Sequence, residues 1–274
     1  MKSHEGANAR RHEGKGKAKR QQSRFQLDGL RNSIKPFRLH FFPRLRSTND
    51  HAAVLRKQGK LFAPAIVLTP HQIAGRGRGS NTWFSAAGSL TVTFVLPVDE
   101  TCHPHQLPLA AGLAIRNAIA ELTACDDIAL KWPNDLLYEN RKLAGLLCER
   151  TGNIDLIGIG LNINLDPARA PKSICTRLTS MLEITGQSFD MNQVLSTIAQ
   201  FLYRALARDT DRPFPNLLKE YDRHHALVGR RITVAVSPNE IITGTCRGLD
   251  SIGRLLVRNG STVHRIIAGQ IESF

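Results

Sequence analysis

The residue pattern of the chain changes once, near Val228, and that change limits the folds open to it. Before it, apolar strand-like runs alternate with helical segments. After it come only short β-type runs: Arg231–Val236, Ile241–Arg247, Arg254–Arg258 and Thr262–Ile267. The turn sequences Ser237-Pro-Asn-Glu240, Asp250-Ser-Ile-Gly253 and Arg258-Asn-Gly-Ser261 separate them. The pattern predicts a larger α/β unit followed by a small β-barrel, whose strand closure would remove exposed edges. A length of 274 residues accommodates one medium domain and one small one.

Within the first unit, Phe37–Phe42 alternates as a strand, and Ser47-Thr48 forms a helix N-cap signal ahead of Ala52–Leu55. Ala65–Thr69, Ser89–Leu96, Ile128–Lys131 and Ile154–Ile163 read as apolar strands. Leu109–Leu122 has helical spacing. Met191–Leu206 is amphipathic, with Asp190 as its cap and Val194, Ile198, Phe201, Leu202 and Ala205 facing inward.

Residues 1–36 are rich in Gly, Lys, Arg, Gln and Ser and poor in apolar side chains. Such a segment buries too little surface to offset its ordering entropy, so it is expected to be a disordered basic tail, and deletion of residues 1–34 is expected to leave activity intact. It accounts for much of the charge. Residues 1–24 hold eight Lys/Arg against two Glu, leaving +8 of the total +14 on the other 250 residues. A moderately basic body suits an anionic ligand or an acidic partner without demanding nucleic acid. No apolar run is long enough to cross a membrane, and the N-terminus lacks the apolar core of a secretory signal. The odd set Cys102, Cys125, Cys148, Cys175 and Cys246 contains no Cys-x-x-Cys, which fits reduced thiols in the cytoplasm. Cys102-His-Pro-His105 has ligand side chains but no second cluster, so a surface loop is the simpler reading.

Four segments carry candidate chemistry. Gly75-Arg-Gly-Arg-Gly-Ser-Asn-Thr-Trp83 fits neither a Rossmann fingerprint nor a phosphate-binding P-loop. Its glycines permit unusual backbone angles, Arg76 and Arg78 offer forks for carboxylate or phosphate, and Trp83 offers a ring to pack on. It reads as a mobile loop that closes over an anionic ligand, or as a basic surface hairpin. Lys131-Trp-Pro-Asn-Asp135 follows a strand that Pro133 stops, and is either a nucleotide and Mg²⁺ anchor or an ordinary turn. Arg141-Lys-Leu-Ala-Gly145 could bring Lys142 near another backbone, or leave it solvated. In Gly158-Ile-Gly-Leu-Asn162, the glycines mark close approach of a ligand or a plain bulge.

In this order and spacing, together with Ser47-Thr-Asn49 and Gln72, these segments resemble the biotin protein ligase family over about residues 37–274. The resemblance implies a mixed-sheet, class II synthetase-like α/β catalytic domain over 37–226 and an SH3-like β-barrel over 227–274. It implies two steps. Biotin and ATP form biotinyl-5′-adenylate and pyrophosphate, and a carrier-protein lysine then takes the biotinyl group. By the same resemblance, Ser47, Thr48, Asn49, Gln72, Arg76, Gly77, Arg78, Trp83, Lys142 and Gly145 would surround biotin. Arg78, Trp83, Lys131, Asn134 and Asn162 would serve ATP, and Asp135 would hold Mg²⁺ or orient the incoming lysine. Lys142, Arg76, Arg78 and Asp135 are the expected catalytic set. The expected partner is the biotin carboxyl carrier domain of acetyl-CoA carboxylase or a related carboxylase. The segment Gly79-Ser-Asn-Thr82 departs from the more basic loop of many bacterial members, which puts loop-driven dimerisation in question and leaves a monomer or weak homodimer. Residues 1–36 are too short and polar for the helix-turn-helix of some members, so no DNA-binding role is expected. Two rivals are a lipoate or octanoate ligase of the same fold and a non-catalytic, basic nucleic-acid-binding protein. The second gives no reason for Lys142, Asn162 or Trp83.

Overall fold

The computed structural model describes residues 25–206 and 214–274. Its elements in chain order are α1 (Leu27–Ser33), β1 (Arg38–Phe41), α2 (Thr48–Lys57), β2 (Ala65–Thr69), β3 (Gly75–Arg76), β4 (Thr82–Trp83), β5 (Ser89–Pro97), α3 (Leu107–Thr123), β6 (Ala129–Lys131), β7 (Asp135–Tyr138), β8 (Arg141–Thr151) and β9 (Ile154–Asn162). There follow α4 (Met181–Thr185), α5 (Met191–Leu206), α6 (Phe214–Arg223), β10 (Arg231–Ser237), β11 (Glu240–Leu249), β12 (Leu255–Asn259), β13 (Thr262–Ile266) and β14 (Gln270–Ser273).

The first unit is built on a seven-stranded sheet of order β1-β2-β5-β9-β8-β7-β6. Only β1 and β2 run parallel, so the sheet is mixed, as expected. Its two faces differ because successive residues of a strand point to opposite sides. One face places Leu90, Val92 and Phe94 of β5 beside Leu161, Ile159 and Ile157 of β9, and α3 and α5 cover it to form the main core. On the other face, Ala52 of α2 and Leu61 pack over Ala65, Val67, Val95 and Leu156 in a smaller cluster. That cover stops partway along the sheet. The exposed remainder carries polar side chains and glycines.

The second unit is a five-stranded antiparallel sheet of order β13-β12-β11-β10-β14. Four of its strands were legible in the sequence, while β14 and the preceding α6 were not. β13 and β14 stand at the two ends of the order, and the unit is the small all-antiparallel β structure that the sequence pattern predicts. The two units share one core, in which Tyr221, Leu227, Ile232, Val234, Cys246 and Leu255 join the cluster of the first unit.

The expected disordered tail is corrected between residues 25 and 36. Leu27–Ser33 is a helix, Leu30 and Ile34 are fully buried, and Ser33 Oγ lies 2.6 Å from Ser196 Oγ of α5. One i, i+4 apolar pair is a weak local signal on a seven-residue helix. Docking on α5 stabilises what the segment cannot stabilise alone. Residues 1–24 lie outside the described residues.

Candidate active site

The register of the sheet aligns the chemistry. Lys131 of β6 pairs with Asp135 of β7, Asp135 with Gly145 of β8, Gly145 with Gly160 of β9, and Gly160 with Thr91 of β5. Two residues along on the same face, Leu147, Gly158 and Thr93 form a second row. These rows floor a cavity of about 840 Å³.

The glycines leave the room that other side chains fill. A Cβ on Gly160 would overlap the Trp83 ring, and one on Gly158 would overlap the Asn49 amide. The glycines do allow close approach, and the groups that approach them are side chains of the chain itself. Asn49 is nearly saturated. Its Nδ2 donates to Leu147 O (3.0 Å) and Glu149 Oε2 (2.7 Å), and its Oδ1 accepts from Thr93 Oγ1 (2.6 Å). One Oδ1 lone pair remains for a ligand. Ser47 caps α2 by accepting from the Asp50 N–H at 3.3 Å, as expected. Gln72 Oε1 accepts from the Thr48 N–H (2.9 Å) and hydroxyl (3.3 Å). Its Nε2 is turned toward Gly75, where a Cβ would lie only 2.7 Å away.

Lys142 reaches the cavity through a bulge. Leu137 pairs with Lys142 but Leu136 with Ala144, so Leu143 is an extra residue in β8. The insertion brings Lys142 onto the face of Gly145, where a Cβ would meet Lys142 Cε at 2.9 Å. Lys142 Nζ lies 2.7 Å from Asp135 Oδ1 and 5.8 Å from the Trp83 ring centroid. Asn134 fixes the preceding turn by donating from Nδ2 to Leu146 O at 2.6 Å. Burial pulls the pKa of Lys131 below the ordinary lysine value, with Asp135 opposing the shift and Lys142 adding to it.

The glycine segment is a short β3–β4 hairpin, with the Gly77 N–H donating to Asn81 O at 2.7 Å. Its two arginines diverge. Arg76 Nη2 sits 2.7 Å from Asp50 and 2.9 Å from Glu149. Burial opposes its charge, but the hydrogen bond and charge of Glu149, with Asp50, outweigh that and raise its pKa. Arg78 Nη1 donates to Gly269 O of the second unit at 3.2 Å. Ala235, Val236, Pro238 and Gly269 complete that wall, and Arg177 lines the cavity with its Nη2 held by Ser173 O at 2.8 Å.

The cavity therefore brings together Ser47, Thr48, Asn49, Gln72, Arg76, Gly77, Arg78, Trp83, Lys131, Asn134, Asp135, Lys142 and Gly145. Asn162 is the exception and a correction. It is buried at the end of β9, where Nδ2 donates to Thr179 O (3.0 Å) and Lys142 O (3.4 Å) and Oδ1 lies 3.4 Å from Ser89 Oγ. It does not line the cavity but secures the backbone beneath Lys142. Arg177, Glu149 and the second unit's wall were missed. None carries a local pattern, since each is brought in by tertiary packing.

The model of the Biotin/lipoate A/B protein ligase family matches residues 41–166, and that of the Biotin protein ligase C terminal domain matches residues 227–272. A biotin–[acetyl-CoA-carboxylase] ligase of Mycobacterium tuberculosis is 29% identical over 231 residues, covering 82% of this chain and 85% of the relative. The bifunctional ligase/repressor BirA of Escherichia coli is 28% identical over 252 residues, covering 90% and 75%. Among solved structures, the Aquifex aeolicus biotin protein ligase in complex with biotin and ATP superposes with a TM-score of 0.76 at 27% identity, covering 86% of this chain and 97% of that one. The Leishmania major enzyme in complex with biotinyl-5-AMP gives 0.58 at 28% identity, covering 84% and 99%.

Proposed function

We propose that this chain, a ligase that belongs to the biotin protein ligase family, uses ATP to activate biotin and transfers it to a lysine of a biotin carboxyl carrier protein domain. The observation that carries this reading is the placement of Asp135 and Lys131 in one row, with Lys142 brought against Asp135 by the bulge, beside Trp83 and under the arginine-bearing hairpin. A cavity with a polar amide and hydroxyl end near Gly158 and a cationic end near Gly145 suits a neutral ring system bearing a carboxylate chain, followed by a polyphosphate.

In the first step a biotin carboxylate oxygen attacks the α-phosphorus of ATP. The bond to the bridging oxygen breaks and pyrophosphate leaves. Two anions must meet, so the barrier falls mainly through positioning and charge neutralisation. Lys142 neutralises both the carboxylate and the α-phosphate, exchanging its contact with Asp135 for them. Arg78 and Arg76 close from the hairpin, which requires Arg76 to leave Asp50 and Glu149. Ser47, Thr48, Asn49 and Gln72 hold the biotin head against Trp83. Gly77 gives the ligand access to the hairpin backbone and Gly145 leaves room for Lys142. Lys131 and Asn134 serve the nucleotide. Mg²⁺ takes one or two protein carboxylates plus phosphate oxygens and water. Asp135 fits that need, and the ion would neutralise phosphate charge there. In the second step the carrier lysine nitrogen attacks the acyl carbon and AMP leaves, with Asp135 placed to orient the amine. The acceptor is proposed to be the carrier domain of acetyl-CoA carboxylase or a related carboxylase, reached by a monomer or weak homodimer. Five free cysteines support a cytoplasmic setting.

The test is exchange of labelled pyrophosphate into ATP. Exchange is expected with biotin and not with lipoate; exchange with lipoate alone overturns the substrate. Lys142→Ala is expected to lower adenylate formation by about 10²–10³-fold with an unchanged melting temperature. Near wild-type turnover in that variant removes Lys142 from the chemistry.

A further inference from the structure

We propose that Phe274 is a positioning residue for Lys131, supplied by the second unit to hold the lysine that serves the nucleotide. The proposal rests on the role given to Lys131 above. Lys131 Nζ lies 4.5 Å from the centroid of the Phe274 ring, within the range in which an ammonium is drawn to an aromatic face. Arg230 approaches the same ring, with Cζ at 5.6 Å. Arg230 is itself tied to the first unit, because its Nη1 donates at 2.9 Å to Asn140 Oδ1 in the β7–β8 turn. The ring is thus gripped by two cations anchored on the catalytic unit. Asp135, the cross-strand neighbour of Lys131, is already engaged by Lys142 at 2.7 Å. A lysine side chain has many rotamers, and ordering one toward a ligand carries an entropic cost. The Phe274 ring restricts that freedom before ATP arrives. This also accounts for a large apolar side chain that stays 37% exposed directly after β14.

Because the effect is on Lys131, loss of the ring is felt in ATP binding and not in biotin binding. Pyrophosphate exchange is measured with ATP varied at saturating biotin, and the reverse, for wild type, Phe274→Leu, Phe274→Met, Phe274→Tyr, Lys131→Met and the Lys131→Met/Phe274→Leu double variant. Phe274→Leu and Phe274→Met are each expected to raise the KM for ATP roughly two- to sixfold and to leave the KM for biotin and the melting temperature unchanged. Either one suffices if the other does not fold. Phe274→Tyr, which keeps the ring, is expected to match wild type. In the Lys131→Met background, Phe274→Leu is expected to add nothing. An unchanged KM for ATP, an equal rise in both KM values, or the same rise without Lys131 overturns the proposal. If the wild type shows no biotin-dependent exchange, the ligase reading falls and the proposal with it.

Discussion

At the scale of single residues, the site depends on side chains that are absent. Gly160 is the clearest case, since any Cβ there overlaps the Trp83 ring. Gly160→Ala is expected to displace Trp83, to cost about 1–3 kcal/mol of stability, and to raise the KM for biotin at least several-fold. Denaturant titration and exchange kinetics check the two effects separately; a well-folded variant with wild-type KM refutes the role given to the contact. Lys131 gives a pH prediction. An ordinary lysine keeps its proton until about pH 10.4, and burial lowers the value for Lys131, so it becomes neutral earlier as pH rises. The KM for ATP is therefore expected to climb on the alkaline side, below the pH of a solvated lysine. Lys131→Arg should move that limb upward, and an unmoved limb assigns it to another group. The glycines stand out because they interrupt an apolar strand, whereas Lys142 carries no local signal beyond a solvated lysine and is singled out only by the family resemblance. Asn162 is expected at the nucleotide by the resemblance alone. It shares the alternation of Gly158 and Gly160, yet the segment bearing Thr179 covers the end of β9. Sequence alternation gives the face of a residue, not what lies over it.

At the scale of elements, the long amphipathic helix and the buried strands announced themselves through periodicity. The elements that escaped are short or are stabilised from outside. α1 is the case with a measurable consequence. Leu30→Ala is expected to destabilise the protein by roughly 2–5 kcal/mol in chemical denaturation, as for a fully buried leucine. Removal of residues 1–34 should destabilise it at least as much, contrary to the expectation for a solvated tail. No loss in either would place α1 outside the cooperative fold. The β3–β4 hairpin is one of two readings that its sequence leaves open, because two-residue strands have no periodicity to decide between a loop and a hairpin. The bulge at Leu143 is invisible in sequence because the pairing register alone defines it.

At the scale of the molecule, the order of a larger mixed unit and a small β unit was evident from one change of pattern. Their joint construction of the site was not. The loop next to β14 receives Arg78, Gln106 Nε2 donates to Ile252 O at 3.1 Å, and the Leu249 N–H donates to Asp222 Oδ2 at 3.3 Å. Their cores are continuous as well. Heating in a calorimeter is therefore expected to give one unfolding transition; two separate transitions would mean that the shared core is too weak to couple them.

β9 runs beneath all of this, paired along its whole length with β5 and nearly its whole length with β8, and buried on both faces. Its amides should be among the slowest to exchange with deuterium, opening only with global unfolding, while those of the hairpin packed over it exchange through small local openings. Ligand binding would then slow exchange in the hairpin and leave the strand beneath it unchanged, so the entropy lost on binding would be paid by the roof of the site and not by its floor.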